Sequence, residues 1–221
     1  MAFDGPHAAD YANVTALNKA YLAVLRQDSR AHQGLAHLSA SLFGRITELS
    51  AKQAEYLAAA PFLLLSFREY DDRYWERTLD DNNERDLFSA SGSDELDTVV
   101  SAGLGFVWQL ARQNPYALRL FCGASLYWCE RIAEQTFYQL LIAVSAHGRV
   151  AELRHAYDHE LWSKLLDQGT NARVAIRKAA HMSALQTILT RPANQRRHVW
   201  ARAARQSGNR GMRVADDDES S

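Results

Sequence analysis

Very little in this chain would interrupt a helix or staple the fold covalently. Four prolines and eleven glycines are spread over 221 residues, which leaves room for long helices. Cys122 and Cys129 are the only cysteines. Seven positions apart on one predicted helix, they share a face but stand roughly 10 Å apart at 1.5 Å per residue. A disulfide needs Cα atoms within about 7 Å, so none is expected, and a reducing, cytoplasmic setting follows. They also lack the Cys-x-x-Cys spacing of a zinc site and read as small core residues. No run of eighteen apolar residues exists, so no membrane span or membrane partner is expected. Met1-Ala-Phe-Asp-Gly-Pro6 has neither the basic start nor the apolar core of a signal peptide. There is no glycine-rich phosphate loop and no nucleophile elbow, so the chain is not expected to be an enzyme or to hold a cofactor.

Acidic residues are missing from one long stretch. From Gly169 to Ala215 there is no Asp or Glu, but there are ten Arg or Lys. Residues 1–170 hold the opposite balance, 22 acids against 15 bases, and Asp216-Asp-Asp-Glu219 is acidic again. Charge separated into blocks points the basic segment at an anionic partner.

What is present is helical periodicity, which predicts an all-α chain. Residues 1–13 read as loose. Helices are predicted around Leu17, Tyr21, Val24 and Leu25, over Ala31–Thr47, and over Ala51–Ala59. Phe62–Phe67 is an apolar run too short to assign as helix or strand. Arg68–Arg85 is polar, with Tyr70, Tyr74 and Trp75 as anchors. Ser89-Ala-Ser-Gly-Ser93 reads as a linker, dividing an amino-terminal region (1–88) from a helical bundle (94–191). In the bundle, Asp94–Gln113 is one helix. Asn114-Pro115 then supplies an N-cap and a first-turn proline. The helix it opens is predicted to continue to His147. Leu118, Leu120, Phe121, Leu126, Trp128, Ile132, Phe137, Leu140 and Leu141 make it apolar almost all round, the mark of a central helix or an oligomer interface. Self-association follows as an expectation. Val150–Gln168 and Ala172–Thr190 are predicted as amphipathic helices. Residues 192–221 are predicted as a basic arm with an acidic tail, largely disordered beyond a short helix at Ala193–Gln206.

One stretch organises the amino-terminal region. Leu35, Leu38, Leu42, Ile46 and Leu49 lie on one helical face. Ser50-Ala-Lys-Gln53 is a capping box, in which the Ser50 hydroxyl and the Gln53 side chain each satisfy the other's amide. Ala54, Leu57 and Ala58 line the next helix, and Pro61 ends it. Two helices on so short a turn have the layout of a helix-turn-helix.

Residues 17–68 resemble the flagellar transcriptional activator FlhD family. The likeness is carried by Leu17-Asn18, Tyr21-Leu22, Gln27-Asp28, Leu42, Ile46, Leu49-Ser50, Gln53, Leu57-Ala58, Leu63 and Phe67-Arg68. It covers roughly a quarter of the chain. FlhD is an all-α dimer that acts on promoters with a zinc-binding partner, FlhC. The resemblance therefore implies a dimerising transcription regulator with an FlhC-like partner. Some members carry an inter-subunit cysteine where this chain has Leu65, so that crosslink is not implied here.

The candidate nucleic-acid contacts are Lys52 in the second helix of the turn motif and, in the basic segment, Arg173, Arg177, Lys178, Arg191, Arg196, Arg197, Trp200, Arg202 and Arg205. Arginine outnumbers lysine there, which suits bidentate phosphate contacts. The plainer alternative is a solvated basic face. Glu55 beside Lys52 would repel phosphate unless it accepts from a cytosine amino group. Glu152, His155 and His159 would share one side of a helix, but a single Glu-x-x-His motif falls short of a di-iron set, so no metal is expected. These features predict a DNA-binding transcriptional regulator. The alternative is an all-α interaction or ligand-binding protein with no nucleic-acid role.

Overall fold

The computed structural model describes residues 5–27, 38–80, 95–147 and 150–190. Ten helices and one two-stranded ribbon make up these residues, so the all-α expectation holds at the level of class. Helix α1 (Ala8–Gln27) starts earlier than its apolar pattern predicts. The Asp10 carboxylate accepts the His7 amide at 2.8 Å, and the Tyr11 ring meets Phe121 edge-on at 5.1 Å. Those contacts order a first turn that hydrophobicity alone leaves loose. Helix α2 (Ala40–Thr47) is shorter than expected: the Ser39 side chain accepts the Leu42 amide and so ends the helix by capping it. Residues 31–37 lie outside the described residues.

Helix α3 (Ala51–Ala58) begins with the predicted capping box, its two bonds 3.0 and 3.2 Å long. Helix α1 packs against both α2 and α3, so the three enclose Leu17, Tyr21, Leu42, Ile46, Leu57 and Ala58.

The apolar run after Pro61 is extended and contributes β1 (Leu65–Ser66). Side chains replace the backbone bonds that a helix would have used. Asn18, fully buried on α1, donates to the Phe62 carbonyl at 2.8 Å and to that of Ala58 at 3.2 Å, and accepts the Leu64 amide at 2.8 Å. Strand β2 (Glu152–Leu153) pairs antiparallel with β1, Leu65 opposite Leu153 and Ser66 opposite Glu152.

The expected helix Val150–Gln168 is therefore corrected. Its first half is strand and turn, and only α9 (His159–Asp167) is helical, capped by Asp158. Arg154 decides this. Its guanidinium is buried and donates to the carbonyls of Leu63, Leu65 and Cys122 and to the Glu69 carboxylate. Its carbonyl accepts from the Trp162 indole at 2.9 Å. An arginine so placed satisfies the backbone of an irregular segment in the core.

The charged stretch after β1 forms α4 (Asp72–Asp80), with Tyr74 and Trp75 buried as anticipated. Helix α5 (Glu95–Gln113) follows the predicted bounds within a residue. The expected linker 89–93 lies outside the described residues. Helix α1, before it, packs against α5, after it, and residues up to Leu189 form one compact unit.

The long helix expected over Pro115–His147 is three: α6 (Pro115–Cys122), α7 (Leu126–Glu134) and α8 (Phe137–His147). Gly123 adopts φ 67° and ends α6. Ser125 caps α7, and Thr136 caps α8 in a reciprocal arrangement with Gln139. Each piece buries its own face, Leu118 and Phe121 on α6, Trp128 and Ile132 on α7, Leu140 and Val144 on α8. Cys122 and Cys129 fall on different helices, both buried as free thiols. Helix α10 (Val174–Thr190) closes the described part of the chain. No helix among the described residues is long and apolar enough to cross a membrane.

Candidate nucleic-acid interface

The turn from α9 into α10 brings the start of the basic segment to α2 and α3. Arg45 on α2 pairs with Asp167 at the end of α9, 2.5 Å apart. Gly169 then turns the chain sharply. A Cβ there would stand 2.5 Å from the Leu165 carbonyl oxygen and 3.1 Å from the His181 ring. His181 is buried on α10, and burial pulls its imidazole down to about 4, so the ring is neutral at neutral pH. Asn171 accepts the Arg173 amide at 2.8 Å and leads the chain into the helix.

Arg173 lies just before α10, and its carbonyl accepts the Arg177 amide at 3.1 Å. The Arg177 guanidinium donates to the Asn171 carbonyl at 2.7 Å and lies 4.1 Å from the centre of the Tyr56 ring on α3. Lys52, one turn earlier on α3, places its ammonium 5.9 Å from the same ring. Tyr56 is thus shared by a cation from the turn motif and one from the basic segment. Lys52, Arg173 and Lys178 are exposed, and none of them, nor Arg177, is in an ion pair among the described residues. Glu55, expected to repel phosphate, is matched by Lys19 on α1 at 3.3 Å.

Four of the ten predicted contacts, Lys52, Arg173, Arg177 and Lys178, are therefore placed, and Lys52 and Arg177 meet at one ring. Arg191, Arg196, Arg197, Trp200, Arg202 and Arg205 lie outside the described residues. Sequence reading missed two participants. One is Tyr56, where nothing local signals that an arginine 121 residues later covers the ring. Lys19 stands on α1, and no local pattern signals its contact with Glu55 on α3.

The other candidate clusters take different forms. Glu152, His155 and His159 fall on β2, on a turn where His155 has φ 51°, and on the first residue of α9, so they share no helix face. Among the described residues no three His, Cys, Asp or Glu side chains stand together as metal ligands. A groove between α4 and α7, lined by Asp72, Trp75, Leu79, Tyr127 and Trp128, holds about 10 Å³, room for about one water. Burial pushes both thiols up, Cys129 to about 12, which leaves them poor nucleophiles. Comparison finds no match to a protein family, a curated protein or a solved structure.

Proposed function

We propose that this chain is a DNA-binding transcriptional regulator, acting as a dimer or larger assembly in the manner of the FlhD family it resembles. The observation that carries the reading is the meeting of Lys52 and Arg177 at Tyr56. Two stretches read separately from the sequence as DNA-contacting contribute to one cationic surface. Phosphate binding releases counterions, and exposed cations on a rigid surface supply that term at little cost in order. The compact packing of α1, α2 and α3 and the capped entry to α3 also support the reading. Several residues that carry the resemblance, Leu17, Tyr21, Ile46 and Leu57, lie in the core of that trio. An FlhC-like protein is the partner implied by the same resemblance.

Binding titrations on duplex DNA at several salt concentrations test the proposal. Replacing Lys52, Arg173 and Lys178 by glutamine should flatten the dependence of log affinity on log salt by about 2.7, at about 0.9 per phosphate. Removing residues 192–221 should flatten it by about 3.6 if four arginines of the arm touch phosphate. An unchanged slope in the triple variant would remove this surface as a nucleic-acid interface.

A further inference from the structure

Helix α10 is largely apolar on two opposite sides, and only one of them is buried. That side carries Ala180, His181, Ala184, Leu185 and Ile188. Away from it Ala175, Ala179, Met182, Gln186 and Leu189 are all exposed, Met182 by 57% and Leu189 by 41%. An outward helix face normally carries charge, yet no Asp, Glu, Lys or Arg occurs from Ala179 to Thr190. Single exposed apolar side chains need no explanation, but these five positions advance by four, three, four and three residues. That is the 3.5-residue repeat of a seam between two helices. We infer that this stripe joins two copies of the chain, one α10 packed antiparallel on the other across a two-fold axis at Met182. The inference rests on the assembly part of the reading above and is independent of its DNA-binding part.

Spacing and charge select this occupant. The seam spacing asks for a helix, and the lack of charge lets the stripe meet its own copy without repulsion. A two-fold axis brings a surface onto itself, so its residues meet in reciprocal pairs. Antiparallel pairing about Met182 sets Ala175 against Leu189, Ala179 against Gln186 and Met182 against its own copy. Small side chains then face large ones on both sides of the axis. Parallel pairing would set alanine on alanine and leave one end of the seam underfilled. It would also bring Arg173, Arg177 and Lys178 beside the same residues of the second copy, at the end where both helix dipoles are positive. The antiparallel order draws these groups apart. From Ala175 to Leu189 the stripe runs about 21 Å at 1.5 Å per residue. So short a seam gives a weak dimer, but α10 is already folded on the core, and pairing orders little that is not ordered beforehand.

The test uses the full chain. Analytical ultracentrifugation should show a monomer–dimer equilibrium in the micromolar range. Met182→Glu should weaken it at least about tenfold, because two carboxylates then meet at the axis. Met182→Lys should do the same, and an equimolar mixture of the two variants should associate again. Recovery on mixing distinguishes a lost interface from a damaged fold. Cysteines read the orientation, since the native thiols are buried. Ala175→Cys and Leu189→Cys should each stay unlinked on mild oxidation alone, and should form a disulfide between copies when mixed. Dimers unaffected by Met182→Glu overturn the inference and leave the proposed assembly to another surface. Crosslinking of either cysteine variant by itself overturns the antiparallel order. A monomer at every concentration overturns the inference and the proposed assembly together. A chain that dimerises only once residues 192–221 are removed gives the stripe to its own arm, and overturns the inference too. DNA binding is decided separately by the salt titrations.

Discussion

At the residue scale the decisive group is Arg154. Four carbonyls and carboxylates surround a guanidinium that is 1% exposed, and Glu69, its charged partner, is 2% exposed. The second Glu69 oxygen accepts from the Ser66 hydroxyl and the Phe67 amide, each at 2.9 Å. A buried pair like this adds less to stability than its geometry implies, because both ions are desolvated. Breaking it is another matter. Arg154→Met leaves a buried carboxylate and several carbonyls without partners, and should cost about 3–5 kcal/mol in denaturant unfolding. Adding Glu69→Gln should recover part of that loss. A double variant as unstable as the sum of the singles would show that the two residues do not act as a pair.

At the element scale, two glycines behave oppositely. Gly123 ends α6 in the left-handed region, and a Cβ there would stand 2.4 Å from the Tyr70 hydroxyl and 3.0 Å from Ile188. Gly123→Ala should therefore lower stability by at least about 1–2 kcal/mol. Gly44 lies inside α2 with nothing within 4 Å of an added Cβ. Gly44→Ala should raise stability by up to about 1 kcal/mol, because the helix no longer carries the entropy of glycine. Thermal unfolding of the two variants side by side checks both signs. The break at Gly123 had a local signal in the glycine, as did α8 in Thr136-x-x-Gln139, a capping motif of the kind recognised at Ser50. A continuous apolar pattern outweighed both. The strand-and-turn region at 150–158 had no such signal, since Glu152-Leu-Arg-His-Ala alternates as a helix surface would.

For the whole molecule, a partly buried carboxyl and a buried imidazole set opposing pH dependences. Burial raises the Glu152 carboxyl to about 7, with Glu69 and Asp71 adding to the shift and Arg68 opposing it. Between about 4.5 and 7 the native state holds a proton that the unfolded chain has lost, so stability falls as pH rises through that window. His181 does the reverse. Its folded value near 4 lies below the unfolded 6.5, so stability falls as pH drops through that interval. The two slopes offset each other where the windows overlap. Glu152→Gln removes one of them. Relative to the unaltered protein it should gain about 2 kcal/mol more at pH 8 than at pH 5. Urea unfolding at the two pH values measures the difference, and an equal effect at both would rule out a desolvated carboxylate at this position.

Local chemistry is what the sequence by itself determined. Capping boxes, first-turn proline and apolar stripes depend on neighbours three or four positions away, so α2, α3, α5 and α10 were legible, as was the all-α class. So was the concentration of positive charge after Gly169. Tertiary structure decided what depends on distant partners. Whether 62–67 and 150–158 become helix or ribbon turns on Asn18 and Arg154, which satisfy backbone groups 44 and 91 residues away. The cationic surface likewise exists only because α9 and α10 fold back on α2 and α3. Periodicity records which face of an element is apolar, but not which remote side chain takes over its backbone hydrogen bonds or covers its exposed ring.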